Sequence, residues 1–461
     1  MRLIILLWCL LIPGMYSKSN PVDYNYKDAK HHGFDSTLQP NIILIIGESH
    51  RAEALEGFGN SFVKTPNLRK LASEGTVFNN FFVTTAICAA SRASILCGQS
   101  ADTHGISDFS TDFTKNAFAN TFPMQLKKAG YTLAWIGFFG IGKNPPKNDF
   151  DFWRPDIPWM KDGKHNIDIT VETANDFIDN SGNGAPFFMC VNFKAAHEID
   201  PTNSVPAHYV VQDRFKGLYN NIKVREPETA DPKYWDELPD FFKDEQNIAR
   251  KRWEGFFSTK ELFQKNSKDY YRLITGLDDA VGKVRSKLIE SGLDKNTIII
   301  YTTDHGFSLG EHGLMGKWYP FNVSMHIPFI LYDPRNAELA GTRFSEFALN
   351  IDIAPTILSL SGLNIPKEME GQNLIEAISG HIKPRDFFIY EHSFLGAPHL
   401  FKTKAIVSKR YKYIVYTENG YEQLFDIIGD PDESVNLVNS KRHHRELQAM
   451  RSLYNKNVIV H

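Results

Sequence analysis

Apolar positions along the chain follow two rhythms. Residues 41–46 (Asn-Ile-Ile-Leu-Ile-Ile) form a continuous β-branched run closed by Gly47, the signature of a strand buried on both faces of a parallel sheet. Runs of similar texture recur at 132–136, 187–193 and 297–303, with helical patterns between them. In residues 270–293, Leu273, Leu277, Val281, Val284 and Leu288 repeat at helical spacing until Gly292 stops them. Strands alternating with helices over about 300 residues predict an α/β fold, a large mostly parallel sheet flanked by helices on both faces. Ligands of such sheets gather beyond the carboxyl ends of the strands, so Glu48, His197 and Asp304-His305, each just past a strand, are expected near one another.

The texture changes near residue 370. Residues 406–415, with Tyr411-Lys412-Tyr413, then Leu424-Phe425-Asp426 and the turn Asp430-Pro431-Asp432, predict a small C-terminal antiparallel α+β lobe. Residues 205–265 mix charges, prolines and aromatics without a clear period, as a surface insertion or active-site lid does. Asn322-Val323-Ser324 is an N-glycosylation sequon, usable only if exposed. The expected organisation is a leader over 1–17, a large domain over 38–368 and a small subdomain over 369–461.

Composition narrows the class. Of 461 residues 42% are hydrophobic and 23% charged, which argues against disorder, and a net charge of -3 offers nucleic acid no general attraction. The basic runs Lys441-Arg442 and Arg250-Lys251-Arg252 are too short to change that. Met1-Arg2, an apolar run from Leu3 to Ile12, then Gly14 and Ser17 have the layout of a secretory signal peptide. The run is shorter than the roughly 20 residues a bilayer span needs, so no stable membrane insertion is expected once the leader is removed. Removal takes Cys9 and leaves Cys88, Cys97 and Cys190, too few for a disulfide scaffold.

The segment from Cys88 to Gly98 combines a small-residue turn with a helix start, where serine hydroxyls can cap free N–H groups. Such a start welcomes an anion, and Arg92 adds a planar charged donor. A Cys88–Cys97 disulfide is disfavoured: a helix over 90–98 separates the Cα atoms by more than about 10 Å, and a disulfide tolerates about 7 Å. Read alone, Cys88 could equally be a plain buried thiol.

Cys88-Ala89-Ala90-Ser91-Arg92, followed by Ala93-Ser94-Ile95-Leu96-Cys97-Gly98, resembles the signature of the sulfatases, in which the cysteine is oxidised to formylglycine. Lys64-Thr65-Pro66-Asn67-Leu68 upstream resembles the same family. So do Asp304-His305-Gly306 with Leu309-Gly310-Glu311-His312-Gly313, Asp352-Ile353-Ala354-Pro355-Thr356, Gly371-Gln372-Asn373-Leu374, Arg410-Tyr411-Lys412-Tyr413 and Leu424-Phe425-Asp426, in family order over about residues 38–440. Within the alkaline-phosphatase superfamily, the motifs resemble those of iduronate-sulfatase-like and bacterial polysaccharide sulfatases.

The resemblance implies hydrolysis of a sulfate ester, of a sulfated carbohydrate or another ester, in an exported protein matured by a formylglycine-generating enzyme. One hydroxyl of the hydrated aldehyde from Cys88 would attack sulfur, and the other would expel sulfate. Arg92 would orient that diol, Lys317 would hold a sulfate oxygen and the bridging oxygen, and His197 would donate a proton to the leaving group. A hard divalent ion, Ca²⁺ or Mg²⁺, would be held by Glu48, Ser49, Cys88, Asp304 and His305. Departures from the family pattern are also present. Glu48-Ser49 stands where most members have Asp-Asp, and Phe138 and Gly140 stand where the family has a sulfate-gripping Lys and its His partner, with Lys143 the one nearby substitute. Those changes leave room for a non-catalytic protein binding sulfated ligands, or for a phosphonate or phosphate-ester hydrolase on the same scaffold.

Overall fold

The computed structural model describes residues 39–181, 184–201, 204–393 and 400–458. The leader-like residues 1–17, with Cys9, lie outside that set. An eight-stranded sheet runs through the large domain, built from β1 (Asn41–Gly47), β2 (Thr76–Phe78), β3 (Thr132–Gly137), β4 (Phe152–Arg154), β5 (Phe187–Asn192), β6 (Thr297–Thr303), β7 (Ile330–Tyr332) and β8 (Thr342–Phe344). Its order is β8-β2-β7-β6-β1-β5-β3-β4. Parallel pairing joins β6-β1-β5-β3-β4 and β8-β2, and only β7 runs antiparallel to both its neighbours.

The all-apolar texture of β1 follows from its place in the middle. Ile42, Leu44 and Ile46 enter one core and Ile43 and Ile45 the other, because successive side chains point to opposite faces. On the first face lie α2 (Cys88–Cys97) and α6 (Ile353–Leu360). On the second lie α1 (Pro66–Glu74), α3 (Asn166–Asn180) and α5 (Lys260–Glu290), with α4 (Ile248–Phe256) packed beside α5.

Helix α5 starts ten residues earlier than its apolar stripe predicts, at Lys260. The Thr259 side chain caps it, and the first turns bury Asn266 and Ser267 beside Phe263, so polar residues face inward and hide the period. The motif Lys64-Thr65-Pro66-Asn67-Leu68 is explained by this packing. Asp278 of α5 accepts from the backbone N–H groups of Leu68 (2.7 Å) and Asn67 (3.2 Å), capping α1 across the interface.

The predicted lobe is a four-stranded antiparallel sheet, β9 (Phe387–His392), β10 (Thr403–Ser408), β11 (Tyr411–Tyr416) and β12 (Tyr421–Asp426), with α7 (His444–Val458) packed on one side. Most aromatics of residues 205–265 belong to packing. Phe242, Phe256 and Phe257 are buried, and Phe241 and Phe242 meet Phe401, Tyr416 and Tyr421. Among the described residues no helix is long and apolar enough to cross a membrane. The sequon is not presented to solvent: Asn322 is half-buried, and its Oδ1 accepts from the Lys412 ammonium at 2.7 Å.

Candidate active site

Four neighbouring strands finish flush. Gly47 of β1 pairs with Thr303 of β6, and Gly137 of β3 with Asn192 of β5, so Glu48, Asp304, Phe138 and Phe193 are the first residues beyond one edge of the sheet. Backbone bonds fix two of the departing loops together: Glu48 N–H donates to Ala195 O (2.7 Å) and Ala196 N–H to Glu48 O (2.5 Å). At the end of β3 only glycine fits. Gly137 has φ +82°, and a Cβ there would stand 1.9 Å from the Asn192 carbonyl oxygen.

Helix α2 begins at Cys88 itself, at this same edge. Its serines do not cap it as expected, for Ile87 occupies the cap position without a side-chain bond. Ser91 instead accepts from Asn350 and Ser94 bonds His104. The Lys317 loop is held from both ends of the chain. Trp318 N–H donates to Ala86 O (3.1 Å), and Tyr390 of β9 donates its hydroxyl to Trp318 O (2.6 Å).

These elements bring six of the expected residues together. The Cys88 thiol donates to Glu48 Oε1 (2.9 Å), Lys317 Nζ donates to Cys88 Sγ (3.2 Å), and His305 Nε2 lies 3.3 Å from the same sulfur. Ligand atoms of Glu48, Cys88, Asp304 and His305 all lie within 4.8 Å of one another. Arg92 lies among the acids, with Nε on Asp304 (3.1 Å), Nη2 on Glu48 (2.9 Å), and Nη1 on Asn192 Oδ1 (2.7 Å) and Phe138 O (2.9 Å). Its donors thus brace the carboxylates and the β3 and β5 loops, rather than Cys88.

The donor set fits a hard cation. Two buried carboxylates offer oxygen, and His305 directs Nδ1 to the Gly306 carbonyl (2.7 Å), so Nε2 is the nitrogen that faces the cluster. Ser49, at φ +59° and fully buried, has a hydroxyl with no hydrogen-bond partner. Such an orphan is costly unless something accepts its lone pairs.

Electrostatics keep the carboxylate charged. Burial alone would push Glu48 up, but the His305 bond and the charges of Lys317 and Arg92 hold it well below the usual range. For Cys88 burial and then Glu48 push the thiol well above its ordinary value, so the pocket does not supply a ready thiolate. Burial would deprotonate Lys317, yet Cys88, Glu48 and Asp304 outweigh it and raise its pKa. Among the described residues the cysteines Cys88, Cys97 and Cys190 are free and buried.

The His197 loop is tied to the group by the Ala195 and Ala196 bonds to Glu48, and the hydrogen bonds of Cys88 Sγ go to Glu48, His305 and Lys317. The His197 ring is partly exposed, and Nδ1 lies 2.6 Å from the Glu198 carbonyl oxygen. Phe138 and Gly140 do border the pocket: the Phe138 ring lies 5.2 Å from the Arg92 guanidinium carbon, and a Cβ on Gly140 would meet that ring at 2.6 Å and Arg92 at 3.2 Å. Lys143 is the nearby substitute expected from the sequence. It is exposed, in a loop whose next residue, Asn144, is bonded twice to Asp112. Sequence reasoning missed Asn192, although a polar residue at the end of the apolar run 187–193 was a readable signal, and it missed Glu198 and Arg252, whose pairing spans 54 residues. Glu311 and His312 are structural: Glu311 pairs with Arg51 (2.9 Å), and His312 stacks on Phe321 (4.1 Å between centroids).

Comparison with known proteins bears on the family and the fold. Residues 40–363 match the family model described as Sulfatase, and residues 310–457 match one described as N-sulphoglucosamine sulphohydrolase, C-terminal. An arylsulfatase of Clostridium perfringens is 28% identical, covering 90% of this chain and 94% of the relative. An N-acetylglucosamine-6-O-sulfatase of Bacteroides thetaiotaomicron is 27% identical over 91% of this chain and 86% of its own length. The mouse (Mus musculus) iduronate 2-sulfatase is 27% identical over 76% and 75%. In fold alone, the chain is similar to a protein solved in complex with its substrate D-glucosamine-2-N,6-O-disulfate, at TM-score 0.76 and 24% identity over 91% of this chain and 97% of that one. The phosphonate monoester hydrolase of Agrobacterium radiobacter shares the fold too, at TM-score 0.74 and 21% identity over 91% and 95%.

Proposed function

The chain belongs to the sulfatase family of sulfuric-ester hydrolases, and from that premise we propose that it cleaves a sulfate ester of a carbohydrate with a nucleophile derived from Cys88. One observation supports this reading above the others: four potential ligand atoms, one of them the Cys88 sulfur, lie within 4.8 Å of one another, with Lys317 Nζ 3.2 Å from that sulfur. Relatives that act on N-acetylglucosamine 6-sulfate and iduronate 2-sulfate esters, by their names, favour a sulfated sugar as substrate.

Cys88 would be oxidised by a formylglycine-generating enzyme, and the hydrated aldehyde supplies a hydroxyl nucleophile and a second hydroxyl through which the aldehyde is restored. Glu48, Asp304 and His305, with the buried Ser49, whose backbone N–H lies 3.5 Å from Asp304 Oδ1, would hold Ca²⁺ or Mg²⁺, which when bound supplies positive charge against the oxygens of the reacting sulfate. The chain's own groups divide the remaining work. Lys317 holds a sulfate oxygen and the bridging oxygen, because its ammonium is kept charged by Glu48 and Asp304. Arg92 keeps both carboxylates in place, and its stacking on Phe138 closes the side where the family has a second cation. His197 is the proton donor to the departing oxygen in this reading, with Nδ1 committed to the Glu198 carbonyl. The leader-like residues 1–17 go with export of the chain, where its maturation would begin.

Hydrolysis of p-nitrophenyl sulfate tests the reading. Turnover that disappears in Cys88→Ala and on chelation supports it. Turnover that survives Cys88→Ala contradicts the nucleophile, and indifference to chelation contradicts the cation. A second reading, a protein that binds sulfated sugars without cleaving them, is favoured by Phe138 and Gly140 at the missing cation's position. It predicts ligand binding with no turnover in the same assay.

A further inference from the structure

Next to His197 the chain holds a buried acid that the reaction scheme leaves without a role. Glu198 follows His197, is 1% exposed, and is reached by Arg252 of α4, which belongs to the irregular segment 205–265. Arg252 Nη1 bonds Glu198 Oε1, its Nη2 donates to Asp200 (2.9 Å), and its guanidinium lies over the Trp318 ring at 5.5 Å, next to Lys317. The other oxygen, Glu198 Oε2, has no hydrogen bond and lies 3.7 Å from His197 Nδ1. Burial would push this carboxyl up, but His197, Arg252 and Lys317 hold it below its ordinary value. His197 Nδ1 is bonded to the Glu198 carbonyl oxygen (2.6 Å), and the carboxylate beside it, one oxygen locked by arginine and the other 3.7 Å from the same nitrogen, adds a fixed negative charge that favours this ring orientation.

We infer that Glu198, fixed by Arg252, is a positioning residue for His197: it sets the ring so that Nδ1 faces the protein and Nε2 faces the leaving oxygen. This inference rests on the reading of His197 as proton donor. As the bond between sulfur and the leaving oxygen breaks, that oxygen keeps the electron pair and takes the Nε2 proton, and the ring becomes neutral. Arg252 thereby gives the 205–265 segment a function, since it anchors the segment to the catalytic rim while the aromatics around it pack.

Leaving-group dependence separates orientation from mere stability. The substrates are p-nitrophenyl sulfate, whose phenolate departs without help, and phenyl sulfate, whose phenolate needs a proton more. On full-length protein whose formylglycine content has been measured, Glu198→Gln is expected to lose about tenfold or more in kcat on phenyl sulfate and less than about threefold on p-nitrophenyl sulfate. Added to His197→Ala it is expected to cost nothing further, because both act through one proton. Equal losses on both esters, or a further loss in the His197→Ala background, overturn the inference. Should Glu198→Gln not fold, Arg252→Lys must show the same split between the esters, and its absence overturns the inference equally. A wild-type protein that carries formylglycine and cleaves neither ester overturns the sulfatase reading itself, and this inference with it.

Discussion

Glu48 and Asp304 face Arg92 and Lys317 in a space closed to water, so the buried charges already cancel before any cation arrives. A divalent ion therefore adds charge to a balanced set, and with a serine at position 49 the cluster has, among the described residues, only the carboxylates of Glu48 and Asp304 to meet it. Ser49 sits at φ +59°, a conformation aspartate tolerates better than most residues. Ser49→Asp is expected to tighten Ca²⁺ binding by about tenfold or more, read by calorimetric titration. An unchanged Kd would show that the vacant hydroxyl is not part of the cation's surroundings. At this scale much of the site was readable. Glu48, Asp304 and His305 stood at strand ends, and Cys88, Arg92 and Lys317 stood in motifs. The motif marks Arg92, but its partners Glu48, Asp304, Asn192 and the Phe138 carbonyl come from distant parts of the chain, and sequence spacing does not reveal them. Glu198 with Arg252 was hidden for the same reason.

Between elements, the Lys317 loop depends on the C-terminal sheet. Tyr390 of β9 holds Trp318, and Lys412 of β11, fully buried, reaches Pro320 O and Asn322 Oδ1 at 2.7 Å each and pairs with Glu433. The family-like stretch Arg410-Tyr411-Lys412-Tyr413 thus braces the loop that carries Lys317. Lys412→Met removes one partner of a buried ion pair and leaves Glu433 unpaired, so a loss of about 3–5 kcal/mol is expected in denaturant unfolding. A loss below about 1 kcal/mol, the range of an exposed pair, would contradict the bracing role. Two other motifs have similar duties. Asp352 receives Arg385 and the backbone N–H groups of Leu349 and Gln372, and Gly371 lies so near Ile351 that a Cβ would stand 2.0 Å from its carbonyl oxygen. Sequence shows that such motifs recur in order, but only packing separates the ones that touch substrate from those that hold the loops.

Across the molecule, the long central strands were legible because burial on both faces forces an unbroken apolar run. β2, β7 and β8 were not, for a strand of three residues has too little length to display a period. The antiparallel β7 escaped for that reason, although the largely parallel sheet and the small antiparallel lobe were both expected. What draws the pocket together is the common edge at which β1, β3, β5 and β6 stop, with α2 aimed at it. The whole account turns on what that edge presents at position 88. Mass analysis of the peptide carrying Cys88, from protein made in a host that has a formylglycine-generating enzyme, measures it directly. The account predicts a residue about 18 Da lighter than cysteine, the difference between thiol and aldehyde side chains in this chemistry. A peptide that carries only unmodified thiol contradicts it.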